Sequence, residues 1–92
     1  MSEEQILALK KIVIYYGVLS QVDIAIEECS ELIKALLKAR RRSGSIEDII
    51  DEIADVTIMC EQLKIIFGCE KEVAERIEYK INRQLERMDK HE

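Results

Sequence analysis

Two acidic clusters interrupt otherwise apolar, helix-patterned sequence in this chain of 92 residues. The first is Glu27-Glu28-Cys29-Ser30-Glu31, set between Ile24-Ala25-Ile26 and Leu32-Ile33. The second is Glu52-Ile53-Ala54-Asp55, set between Ile49-Ile50 and Val56-Thr57-Ile58-Met59. Carboxylates are rarely placed among apolar neighbours unless something compensates their charge. Residues three apart on a helix are offset by about 60° and rise about 4.5 Å. Glu28 and Glu31 therefore project from one side of one helix, and Glu52 and Asp55 from one side of the next. One such string is common on a solvated helix face. Two, on consecutive apolar helices joined by the short turn Ser43-Gly44-Ser45, can face each other if the helices pack antiparallel. Four converging carboxylates form a hard, oxygen-only site, suited to Mg²⁺ with Mn²⁺ as a substitute. Their mutual repulsion in a partly dry site is several kcal/mol, about the scale that a divalent ion or protonation must relieve. A ferritin-like di-iron reading fails on ligands: it needs Glu-x-x-His motifs, and the one histidine is His91, near the end of the chain.

The pattern Glu27-Glu28-x-x-Glu31 followed by Glu52-x-x-Asp55 resembles the paired acidic motifs of the MazG-like superfamily. These are all-α nucleoside triphosphate pyrophosphohydrolases. Flanking segments are similar too: Gly17-Val18-Leu19-Ser20-Gln21 before the first motif, and Lys80-Ile81-Asn82-Arg83 in the last helix. The likeness spans roughly residues 15 to 85. It implies Mg²⁺-dependent cleavage of a (d)NTP to (d)NMP and pyrophosphate. It also implies Glu28, Glu31, Glu52 and Asp55 as metal ligands, with Glu27 as an accessory carboxylate ordering the attacking water. The tail match adds Asn82 to the substrate-binding candidates.

The chemistry is coherent in its own terms. Phosphoryl transfer needs positioning and charge stabilisation more than covalent help, and metal ions clamp phosphate oxygens and acidify water. A triphosphate adds about four negative charges and calls for cations. Lys80 and Arg83, three apart on one helix, are candidates to supply them. Gln21 lies seven residues before Glu28, about two turns along the same face, where its amide can bond a base or sugar. Lys34 and Lys38 follow Glu31 by one and two turns and can balance its charge. Tyr15, Tyr16 and Phe67 are the few stacking candidates, but aromatic residues in helices more often belong to the core, which is where they are expected.

The elements that must position these groups are legible from punctuation. Ser2 caps a first helix, helped by Glu3 and Glu4 at its positive end. Its stripe is Ile6, Leu9, Ile12 and Val13, and Gly17 breaks it. A second helix runs from about Leu19 to Arg41, with Lys38–Arg42 suiting its C-terminal dipole. Ser45 with Glu47 and Asp48 starts a third, which ends at Phe67 before Gly68. A fourth runs from about Glu70 to Met88, its narrow stripe being Val73, Ile77, Ile81, Leu85 and Met88. Residues 89–92 are expected to fray. The second and third helices are apolar on more than one side, which places them centrally.

Composition bounds the rest. The length fits a single domain covering residues 1–92. An apolar fraction of 48% is more than so short a chain can hide, so homo-oligomerisation is expected, a dimer ahead of a tetramer. The expected fold is an all-α antiparallel four-helix bundle completed by a second copy. A net charge of −5 argues against a nucleic-acid polymer as ligand. Cys29, Cys60 and Cys69 form no CxxC pair and read as reduced core thiols of a cytoplasmic protein. The start Ser2-Glu3-Glu4 does not suit a secretory signal, and no apolar run reaches the roughly 20 residues of a membrane span. The rival to the enzyme is a non-catalytic helical dimerisation or adaptor module whose acidic patches meet a basic partner. Base and sugar preference is not legible, and nucleotide-pool cleaning and a phage or mobile-element role both fit.

Overall fold

A computed structural model of the chain describes residues 1–90. It is an all-α four-helix bundle of α1 (Glu3–Tyr16), α2 (Val18–Arg40), α3 (Ile46–Phe67) and α4 (Glu70–Lys90). Each boundary has a local cause. Ser2 Oγ accepts from the Gln5 amide at 3.1 Å while Gln5 Oε1 accepts from the Ser2 amide at 3.0 Å, a reciprocal capping box. Gly17, at φ 92°, is the only residue between α1 and α2. Its amide donates to the Val13 carbonyl at 2.8 Å, and its own carbonyl accepts from the Gln21 amide at 3.1 Å. One residue thus ends one helix and begins the next, and its φ favours glycine.

The α2–α3 connection is tighter than the sequence indicates. Arg42 adopts φ 59°, an uncommon state for a residue with a Cβ. The Ser43 amide and hydroxyl both donate to the Lys38 carbonyl, at 2.9 and 3.4 Å. Gly44 follows at φ 90°, and a Cβ there would meet the Lys38 Cβ at 3.2 Å. Ser45 Oγ then caps α3 by accepting from the Asp48 amide at 3.2 Å. Gly44→Ala should therefore cost about 1–2 kcal/mol of stability, the usual penalty for a Cβ in left-handed backbone. Urea denaturation measures it; an unchanged midpoint would mean the turn relaxes freely.

At its far end α3 closes with Gly68 in left-handed backbone, and the Cys69 amide donates to the Lys64 carbonyl at 3.1 Å. α4 continues as helix through Asp89 and Lys90, where fraying was expected. Arg87 and Lys90 in its last turn suit the negative end of the helix dipole. His91 and Glu92 lie outside the described residues.

Packing centres on α3, which contacts all three other helices. Its longest contact is with α2, antiparallel across the turn; α1 lies against both, and α4 touches α3 alone. Leu9 and Val13 of α1, Ala25 of α2 and Met59 of α3 form the buried apolar core. That core is small, and α4 buries no residue at all. No helix among the described residues is long and apolar enough to cross a membrane.

The expectation of core cysteines and aromatics is corrected here. Cys29 and Cys60 are exposed and Cys69 half-buried, all three as free thiols. Tyr15, Tyr16 and Phe67 are exposed as well, the two tyrosine rings meeting edge-on at 4.8 Å. Helical periodicity marks a face as apolar without saying whether this chain covers it.

Candidate metal centre

The α2–α3 seam brings the two acidic motifs together. Glu28, Glu52 and Asp55 each offer a carboxylate oxygen, and these oxygens lie within 4.8 Å of one another. Glu28 and Glu52 are half-buried. A hydrogen bond to Asp55 is the main cause holding the Glu28 carboxyl above its ordinary range, followed by desolvation and the charges of Asp55, Glu52 and Glu27. The Glu52 carboxyl is raised chiefly by desolvation, then by the charges of Asp55, Glu31, Asp51 and Asp48. Glu52 Oε2 is shut off from solvent and has no hydrogen-bond partner. Buried acceptors are ordinarily satisfied, so this orphan oxygen beside two other carboxylates fits a hard divalent cation.

Glu31, expected as a fourth ligand, stands apart from the three. Its carboxylate pairs with Lys34 one turn on, at 3.4 Å. It still borders the site, because a cleft of about 240 Å³ is lined by Glu31, Lys34, Lys38, Gly44, Ser45, Asp48 and Glu52, with Ala35. Lys34 and Lys38 are thus the cations that share a cleft with Glu52. Asp48, which also faces it, was not singled out by its sequence position, where it reads as a helix-start acid. Glu27 is exposed, next to Glu28, and its carbonyl accepts from Ser30 Oγ at 2.7 Å.

The remaining candidates fall elsewhere. Gln21 is buried, with 3% exposure, and is not among the residues lining the cleft. Seven residues separate Gln21 from Glu28 and Gln62 from Asp55. An antiparallel register that joins Glu28 to Asp55 therefore sets the two glutamines at one level. Gln62 is 2% exposed and its Oε1 lacks a partner. Sequence reading passed over Gln62, although its place in the row Asp55, Met59, Gln62 was a signal that a polar side chain enters the seam. Lys80 and Arg83 line a surface groove of α4 with Glu75, Arg76 and Tyr79, and the Arg83 guanidinium lies 5.5 Å from the Tyr79 ring centre. Lys80, Asn82 and Arg83 do not line the carboxylate cleft of their own chain.

The charge arrangement makes a pH prediction. The unfolded chain gives up the Glu28 and Glu52 protons near 4.5, whereas the folded chain holds them to higher pH. Their contribution to folded-state stability is complete below 4.5 and is lost as pH rises through the elevated values. In EDTA the melting temperature should therefore fall as pH is raised from about 4.5 towards neutrality, and fall less in Glu52→Gln. Melting curves across that range test this; identical pH slopes in the two proteins would contradict it.

Comparison with protein-family models, with curated proteins and with solved structures finds no match to this chain. The acidic cluster and the helical architecture carry the functional argument.

Proposed function

We propose that this chain is a Mg²⁺-dependent nucleoside triphosphate pyrophosphohydrolase of the MazG-like kind. It would convert a (d)NTP and water to (d)NMP and pyrophosphate as a homo-oligomer, a dimer ahead of a tetramer. Nucleotide-pool housekeeping in the cytoplasm is the role that fits such an activity. The observation that carries the reading is the convergence of Glu28, Glu52 and Asp55 within 4.8 Å from two different helices. The raised Glu28 and Glu52 carboxyls support it, since uncompensated like charges at that range cannot all ionise easily.

In this reading Glu28, Glu52 and Asp55 hold the cation, with Glu31 at the cleft edge. Mg²⁺, or Mn²⁺ in its place, supplies charge neutralisation and acidifies a bound water when present. Glu27, one residue from Glu28, would orient that water, the role the resemblance implies for it. Lys34 and Lys38 meet phosphate oxygens from within the cleft. Lys80, Asn82 and Arg83, which do not line the cleft of their own chain, would join substrate by way of a second copy. Gln21 acts from beneath the site, as a buried support of the seam rather than as a direct contact to base or sugar.

A panel of NTPs and dNTPs tests the proposal, read as pyrophosphate release with Mg²⁺ and with EDTA. At least one nucleotide should turn over, and only with metal. No turnover across the panel would favour an adaptor module whose acidic face meets a basic partner.

A further inference from the structure

We propose that α4 and the outer face of α3 form a self-complementary surface that takes a second copy of this chain. The inference deepens the homo-oligomer part of the reading above by naming the surface, and it is independent of the chemistry at the carboxylates.

α3 has two apolar faces. Met59 and Gln62 of one are buried, the row that continues from Asp55 along the seam with α2. Val56, Cys60, Leu63 and Phe67 each follow a position of that row by one residue, so they lie on a face turned by about 100°. This second face, with Val73 and Ile77 of α4, lines an apolar groove of about 550 Å³. Beyond the groove α4 continues its stripe with Ile81, Leu85 and Met88, which are 55%, 53% and 55% exposed. The opposite side of α4 is charged, with Glu72, Glu75 and Glu86 among its residues.

The exposed area fits an interface of this kind. The chain exposes 7561 Å², whereas a compact monomer of its mass exposes about 5,500 Å². The excess of about 2,000 Å² per chain, about 4,000 Å² for two, is in the range of obligate homodimers. The radius of gyration is 16.2 Å, against about 12 Å for a compact domain of this length. Groove and stripe lie next to each other on one chain, so a two-fold axis lets each copy's Ile81–Met88 stripe fill the other's groove. The joint core would then be α3 and α4 from both copies.

Sedimentation equilibrium at micromolar concentration tests the surface. Wild type should be a dimer or larger. Ile81→Glu with Leu85→Glu should give a monomer, because both side chains are more than half exposed in a single chain. Leu19→Glu with Ile26→Glu, on exposed α2 positions outside the groove and stripe, should keep at least a dimer. The milder Leu85→Ala should raise the dimer dissociation constant at least about tenfold while leaving helical content unchanged. A wild-type monomer would overturn the surface and the homo-oligomer reading together. An α4 double variant that stays dimeric, or an unchanged dissociation constant in Leu85→Ala, would overturn the surface alone.

Discussion

Glu52→Gln should lower Mg²⁺-dependent pyrophosphate release at least about a hundredfold, equivalent to about 2.7 kcal/mol of transition-state stabilisation. Metal-assisted phosphate chemistry draws several kcal/mol from the cation, so losing one carboxylate ligand forfeits a large part of it. Glu28→Gln should do the same, since the Glu28 carboxylate lies in the cluster with Glu52 and Asp55. Glu31→Gln should cost less, because Glu31 borders the cleft and is paired with Lys34. Glu4→Gln is the control: Glu4 is exposed in the first turn of α1, does not line the cleft, and should leave turnover unchanged. Steady-state rates on the best nucleotide decide the order. A fully active Glu52→Gln would remove Glu52 from the metal site.

Mg²⁺ should stabilise the wild-type protein strongly and Glu52→Gln weakly. A ligand at a hundred times its dissociation constant adds about 2.7 kcal/mol to the native state by mass action. For a domain of this size that corresponds to a rise of about 10 °C or more in melting temperature. In EDTA the order should reverse or level. Glu52→Gln removes a charge from a crowded, half-buried cluster, so the variant should melt at or above wild type. Equal Mg²⁺ shifts in the two proteins would mean Glu52 is no ligand. A large loss of stability in EDTA would mean it holds the fold rather than the metal.

The helix ends were legible because their causes are local. Ser2, Gly17, Ser45 and Gly68 each act within one turn of their own position, and the structure puts a cap or break at each. The convergence of the acidic motifs was legible for a similar reason. A short turn fixes an antiparallel pair, and helical rise then sets which levels meet. The partition within the motifs was not, because it depends on side-chain partners. Glu31 has Lys34 one turn away and leaves the cluster, whereas Glu28 has Asp55 across the seam and joins it.

The buried glutamines were hidden by residue type, since glutamine is ordinarily a surface residue. Gln21 reads in the sequence as a contact to base or sugar, and only its place in the row Asp55, Met59, Gln62 marks Gln62 as buried. The exposed cysteines and aromatics were misplaced for a different reason. An apolar pattern marks a face by helical periodicity, and periodicity does not record whether the chain's own packing covers that face. α4 makes the same point: its stripe is clear in sequence, yet it buries nothing in the single chain.

The central claim is that Glu28, Glu52 and Asp55 support metal-dependent cleavage between the α- and β-phosphates of a nucleoside triphosphate. Phosphorus-31 NMR of a dNTP incubated with the protein and Mg²⁺ tests it most directly. The account predicts dNMP and pyrophosphate appearing in equal amounts with Mg²⁺, and the dNTP left intact when EDTA replaces Mg²⁺. Appearance of dNDP and orthophosphate, or turnover that persists in EDTA, would contradict it.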